Sequence, residues 1–247
     1  MNKNYVEGFT LYGSPLESSP YFINKTLKVN INGEEILKFK ENTVSINDEE
    51  WDYHVLQLNN DVFLITIHML AKEVPQYINY VVDVKDNLVT RVNCFITVIE
   101  KGSTVLSDST NLVVRNIEFG YLGDKDPIRR HHYTHELCDA ILETAGTPGN
   151  VVRYYIHSDT KISYYQKEWP LGGNPIDKDG LGMGEAAFVK LNDGVYIITF
   201  TKHSHGNQPF IVWDSHSGRY VANFAGVSRQ SGRQFVTTAT SYLRRIY

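Results

Sequence analysis

Lys202 ends the run Tyr196-Ile-Ile-Thr-Phe200-Thr-Lys202, and in a strand Tyr196, Ile198, Phe200 and Lys202 share one face. Turned into a barrel, that face would desolvate the Lys202 amine and push its pKa down, making it a base, a nucleophile or an anchor for an anion. At the strand end it would instead snorkel to solvent. Two phenols belong with it: Tyr154 shares a face with Val152 and Ile156, and Tyr164 shares one with Ile162. Such phenols either orient a phenol, carboxylate or carbonyl by hydrogen bonding, or pack as aromatic core with the hydroxyl satisfied at the rim. Glu185 follows the glycine-rich Gly180-Leu-Gly-Met-Gly184 and is expected to begin a strand at the barrel mouth. Burial there would raise its pKa towards general acid or base use. Tyr196, Phe200 and Trp213 would be the walls, although one assignment of the Trp213 strand turns that ring outward.

Histidine adds a second set. His203-Ser-His205 follows the central strand, His216 lies in the next turn, and His131, His132 and His135 come earlier. His203 could transfer protons near neutral pH. Two histidines at i, i+2 share a strand face and could ligate a metal as in cupins. The cupin pattern then wants a glutamate, where this chain has Pro209 and Phe210, so no metal is expected. No GxGxxG between strand and helix, Walker loop or GxSxG elbow occurs, and Gly180 to Gly184 reads as a lip over a pocket rather than a phosphate loop.

These residues need strands to hold them, and the chain contains a repeat that provides them. Val55-Leu-Gln-Leu-Asn-Asn-Asp-Val-Phe-Leu-Ile-Thr-Ile67 matches Phe188-Val-Lys-Leu-Asn-Asp-Gly-Val-Tyr-Ile-Ile-Thr-Phe200 without a gap, 133 residues apart. Each copy reads as strand, Asn/Asp/Gly turn, strand. Tyr80 to Asp83 with Asp86-Asn87 parallels Ile211 to Asp214 with Ser217-Gly218. Upstream, Leu27 to Ile31 and Ile36 to Phe39 parallel Val152 to Ile156 and Lys161 to Tyr165. Short strands joined by tight turns predict an all-β protein of two tandem antiparallel barrels, each closing to hide its edges. The boundary is expected near Asp124, giving repeats 1–124 and 125–247. Thr134 to Thr144 is expected to form a short helix between them, since Leu137, Ile141 and Leu142 fall on one helical face. The two ends of the chain would wrap the barrels or form an oligomer interface.

Composition narrows the partners. An apolar fraction of 42% suits a globular chain, and 16 Tyr with 11 Phe suit pleated sheets. A net charge of −4 with scattered Lys and Arg offers no field for nucleic acid. The absence of an apolar leader or membrane-length run predicts a soluble, cytoplasmic protein without a membrane partner. Cys94 and Cys138 read as buried thiols, with a single bridge between them as the alternative.

The segment His131-His-Tyr-Thr134-His-Glu136-Leu137, with Gly194 to Phe200 downstream, resembles the second half of the molybdenum cofactor biosynthesis protein F family. Asn24 to Leu27, Trp51 to Leu64 and Val81 to Asp83 resemble its first half. The resemblance implies two lipocalin-like (calycin-type) repeats. The second repeat is more loosely similar to phenolic acid decarboxylases, lipocalin-like enzymes that use tyrosines, an arginine and a glutamate without a cofactor. Both families tend to carry a glutamate where this chain has Lys202, and Cys138-Asp139 replaces their usual Val-Gly, so neither reaction carries over directly. In the first repeat the face equivalent to Tyr196 to Lys202 is Phe63, Ile65, Ile67 and Met69, which predicts a dry first barrel and a pocket in the second. The expectation is a cofactor-independent lyase, decarboxylase or isomerase acting on a small aromatic or unsaturated organic acid or ketone. The alternative is a non-catalytic binder of a small apolar metabolite.

Overall fold

The computed structural model describes residues 5–6, 17–69, 76–96, 113–145, 151–166, 181–201, 207–227 and 234–247. Among them the chain is all-β: eighteen strands, no α-helix, and one 3-10 turn at Pro20–Phe22 capped by Ser19. After β1 (Tyr5–Val6), the first barrel runs through β2 (Thr26–Asn30), β3 (Glu34–Phe39), β4 (Thr43–Ile46), β5 (Glu49–Gln57), β6 (Val62–Met69), β7 (Gln76–Asp83), β8 (Leu88–Ile96) and β9 (Val113–Leu122). Neighbours pair antiparallel, and β9 returns to β2 through Val29 opposite Leu122. Closure depends on Gly120, because a Cβ there would sit 2.2 Å from the Asn30 carbonyl oxygen.

The second barrel is built from β11 (Ile141–Ala145), β12 (Val152–Ser158), β13 (Lys161–Gln166), β14 (Leu181–Asn192), β15 (Val195–Phe200), β16 (Asn207–Asp214), β17 (Arg219–Val227) and β18 (Gln234–Arg245). It closes where β18 pairs with β11, Leu142 opposite Arg245. The short β10 (His132–Tyr133) adds to β14, and β1 adds in parallel to β18. The protein is therefore two tandem eight-stranded antiparallel barrels. Their turns are built alike. Asp83 accepts from the amides of Lys85 and Asp86, and its counterpart Asp214 accepts from His216 and Ser217. Asn87 and Gly218 then take the positive φ that such turns demand.

Three expectations change. The helix over Thr134 to Thr144 does not form; residues 136–139 make a turn and Ile141–Ala145 is a strand. Leu137 and Leu142 are buried in the barrel core by this turn and strand, a placement that helical spacing mimics over so few residues. The upstream half of the repeat is consequently displaced by one strand. With β5 matched to β14, the hairpin β2–β3 corresponds to β11–β12, and the short β4 corresponds to β13. Finally, Cys94 and Cys138 are both free, and only Cys94 is buried.

The barrels meet through the same outer face of equivalent strands. Leu56, Val62 and Leu64 of the first and their counterparts Val189, Val195 and Ile197 of the second share one apolar cluster. The contact is thus isologous in kind, as in a two-fold dimer. A buried polar seam crosses it. Asn223 donates to the Thr66 hydroxyl at 2.7 Å and to the Asn79 side-chain carbonyl, while Tyr77 donates to Gln208, which donates to Thr199. Such groups cost little while bonded and a great deal when separated from their partners, so they fix how the two faces register.

Candidate binding site

The second barrel encloses most of the aromatic residues singled out in the sequence. Tyr154 and Tyr164 stand directly opposite one another on β12 and β13. Both are buried, and both lay their rings on Phe200, at centroid distances of 5.6 and 5.7 Å. Phe200 is the last residue of β15, so this group lies towards the barrel end at which β15 stops. Gly184 permits the close approach there: a Cβ on it would lie 2.2 Å from the Thr201 carbonyl oxygen. Lys202 and His203, like His205, fall outside the described residues.

Tyr196 and Trp213 are buried in the same interior but belong to a different layer. Tyr196 and Phe200 are four positions apart, about 13 Å along the strand. Their rings pack together at 5.9 Å, and the Trp213 indole donates to the Leu243 carbonyl at 2.8 Å, which fixes the ring inward. Glu185 is the clear departure. It lies within β14 rather than at its start, and it is exposed, because the inward face there belongs to Ala186 and Phe188. Alternation puts its carboxylate on the opposite side from Tyr154 and Tyr164.

The His131 to Leu137 segment closes the other end of this barrel. Leu137 enters the core, and Glu136 accepts from the Tyr196 hydroxyl at 2.8 Å and from the Lys190 ammonium at 2.6 Å. Lys190, with Tyr196, holds the Glu136 carboxyl below its usual range. Burial, reinforced by Glu136, pushes Tyr196 up to about 12, so its phenol is a donor at neutral pH. His131 is only 1% exposed and shares a 2.8 Å hydrogen bond with Thr90 of the first barrel. His132, His135 and His216 are exposed.

The first barrel is not dry. Its inner face carries Tyr80, Arg91 and Glu118 side by side on β7, β8 and β9, with Glu35 reaching across from β3. The Tyr80 hydroxyl donates to Glu35 at 2.5 Å, Arg91 donates to Glu35 at 3.3 Å and to Glu118 at 2.8–2.9 Å, and Asn93 also donates to Glu118. Burial, with Glu35 beside it, holds the Tyr80 phenol well above its ordinary pKa. Phe63 and Ile65 do line this interior as expected, but strand alternation cannot say which face of β8 points inward when both are enclosed. Val92 and Cys94 are buried against the second barrel, and Arg91 and Asn93, on the face of Val89, take the inside. That inverted pattern was the available signal.

A cleft of about 780 Å³ lies between the barrels at the turn end, bordered by Lys85, Arg129, His132 and Lys190 and by Asp86 and Asp193. Among the described residues no group of three or more His, Cys, Asp or Glu side chains is arranged to hold a metal ion. Among the same residues no helix is long and apolar enough to cross a membrane.

No protein-family model matches the chain, and no curated protein matches it. A solved structure of a candidate beta-lactamase from Burkholderia vietnamiensis is similar at a TM-score of 0.34 and 13% identity, over 45% of this chain and 96% of that one. A likeness this slight carries no argument about fold or function.

Proposed function

We propose that the second barrel binds a small aromatic or unsaturated organic acid or ketone, in the manner of lipocalin-like barrels. The observation that supports this reading is the paired Tyr154 and Tyr164 over Phe200, which puts two phenols on adjacent strands within an apolar layer. An aromatic ligand stacks in such a layer while a phenol orients its carbonyl or carboxylate. A cytoplasmic location goes with the proposal, supported by the two free thiols. The resemblance to the molybdenum cofactor biosynthesis protein F family remains part of the proposal and rests on the motifs quoted above.

Catalysis is a second reading, favoured by the phenol, guanidinium and two carboxylates gathered inside the first barrel. That set suits cofactor-independent proton transfer of the lyase, decarboxylase or isomerase kind.

The test is a titration with cinnamate, 4-hydroxycinnamate and benzalacetone, followed by calorimetry, for the natural protein and for Tyr154→Phe, Tyr164→Phe and the double variant. Each lost hydroxyl bond should weaken binding by about 2- to 13-fold, the equivalent of roughly 0.5–1.5 kcal/mol. Glu118→Gln should retain ligand uptake if the protein only binds and lose turnover if the set inside the first barrel is catalytic. Equal affinity in the double variant removes the proposed site.

A further inference from the structure

The charges inside the first barrel do not balance. Glu35 and Glu118 both converge on Arg91, whose Nη1 reaches Glu35 at 3.3 Å and whose Nε and Nη2 reach Glu118 at 2.9 and 2.8 Å. All three side chains are enclosed, at 15–17% exposure. The remaining donors to the two carboxylates, the Tyr80 phenol and the side-chain amides of Asn32 and Asn93, are neutral. Two carboxylates against one guanidinium leave one negative charge without a counter-charge among the described residues. Both bonds that Glu35 accepts fall on Oε2, so its Oε1 takes no described donor. An enclosed surplus charge is costly, and a cation that reaches it removes the cost.

The barrel is open on this side. Tyr121 and Leu122 are the residues of β9 that pair with β2, so the rest of β9 rises past the β2–β3 turn, where Asn32 donates to Glu118 at 2.7 Å. Above that notch the inner face of β8 reaches solvent. Phe95, on the face of Val89 and Arg91, is 38% exposed, and Asn93 is half-buried. A filled barrel would cover both. The strand register stacks the lining in rows: above Tyr80, Arg91 and Glu118 come Ile67 and Ile78, and then Phe95. Successive rows lie about 7 Å apart, which puts the charged floor about 13 Å below an apolar rim.

We infer that the first barrel holds a small organic cation, an ammonium or amidinium head on a short apolar stem. The head bonds Glu35 at Oε1 and supplies the missing positive charge through charge-assisted hydrogen bonds, while the stem lies against Ile67, Ile78 and Phe95. A bare metal ion fits less well, because among the described residues no three His, Cys, Asp or Glu side chains are arranged to hold one, and it would leave the apolar rows unused. The pocket shares its residues with the catalytic reading but requires no turnover. It is separate from the Tyr154–Tyr164 layer, so the two repeats take ligands of opposite chemistry, a base in the first and an acid or ketone in the second.

Phenethylamine, phenethyl alcohol and phenylacetate carry the same ring and differ in charge, and each is titrated into the full chain and followed by amide NMR. The expected result is a saturable shift at the amides of Tyr80, Arg91, Asn93 and Phe95 with the amine, and an affinity weaker by roughly tenfold or more for the alcohol. Glu35→Gln keeps an acceptor for Tyr80 and Arg91 while removing the surplus charge, and should weaken amine binding by a similar factor of roughly tenfold. Equal affinity for amine and alcohol, or tighter binding of phenylacetate, would overturn the assignment to cations. No saturable shift with the amine, or unchanged amine affinity in a folded Glu35→Gln protein, would overturn the site itself. The comparison of amine with alcohol needs only the natural protein, so it decides the matter even where the variant does not fold. The Tyr154→Phe, Tyr164→Phe double variant should bind the amine unchanged, which separates this result from ligand binding in the second barrel; a weakened amine response there would place the amine in the other barrel and overturn the site.

Discussion

Acid should loosen this protein before the ion-paired carboxylates of Glu136 and Glu143 give up their contribution. His131 is buried between the barrels, and burial, with His132 nearby, pushes its pKa from 6.5 down to about 3. His68, on the outer face of the first barrel, is pushed down to about 4 by burial and the nearby His54. A base whose folded pKa is lowered contributes nothing against acid above pH 6.5. Below that value the unfolded chain takes up a proton that the folded protein refuses, and stability falls until the folded group itself titrates. Between pH 7.5 and pH 5 this amounts to about 2 kcal/mol for each of the two histidines, or roughly 4 kcal/mol together. The depressed carboxyls of Glu136 and Glu143 lose their contribution only as pH falls below about 4.5, outside this window. Urea unfolding at pH 7.5 and pH 5 measures the difference. In His131→Asn the side-chain amide can still reach Thr90, so the variant should give up some stability at pH 7.5 but recover about half of the pH-dependent loss. An identical pH dependence in His131→Asn and the natural protein would refute the reasoning.

Two further outcomes follow from local geometry. Gly120→Ala should destabilise the protein by about 1–3 kcal/mol, because the new methyl meets the Asn30 carbonyl across the seam that closes the first barrel; a urea midpoint unchanged from that of the natural protein would show that the seam can yield. In the native protein a thiol reagent should label Cys138 alone, and slowly, since burial and Asp159 raise its pKa, while Cys94 should react only after unfolding; two thiols reacting at one rate would contradict the enclosed position of Cys94.

The strands around the repeat were readable because their turns declare themselves. Asn59 to Asp61 and Asn192 to Gly194 interrupt runs whose apolar residues suit a sheet enclosed on both faces. Reading became unreliable where an element is short. Four residues of β4 carry little periodicity, and the five of β11, preceded by Leu137, satisfy a helical spacing equally well. The site was legible to a lesser extent. Tyr154, Tyr164, Tyr196, Phe200 and Trp213 are indeed inside one barrel, but the sequence could not reveal that Tyr196 and Trp213 occupy another layer, or that Glu185 faces outward. Arg91 and Glu118 escaped notice because polar residues are normally assigned to solvent. In a two-barrel protein the solvent side of β8 is occupied by the other barrel, so the usual assignment reverses.

The pairing of β1 with β18 sets an order on biosynthesis. Tyr5–Val6 finds its parallel partner in Gln234 and Phe235, more than 220 residues later in the chain. At about 5–20 residues per second, a ribosome needs on the order of 10–50 s to deliver that partner. During that interval the first barrel can close on its own strands while the segment preceding it has no edge to join. The second barrel also waits, since β18 is both its closing strand and the acceptor for β1. β18 therefore completes two structures at once, and a chain that stops before residue 234 would lose the closure of the second barrel together with the partner of β1.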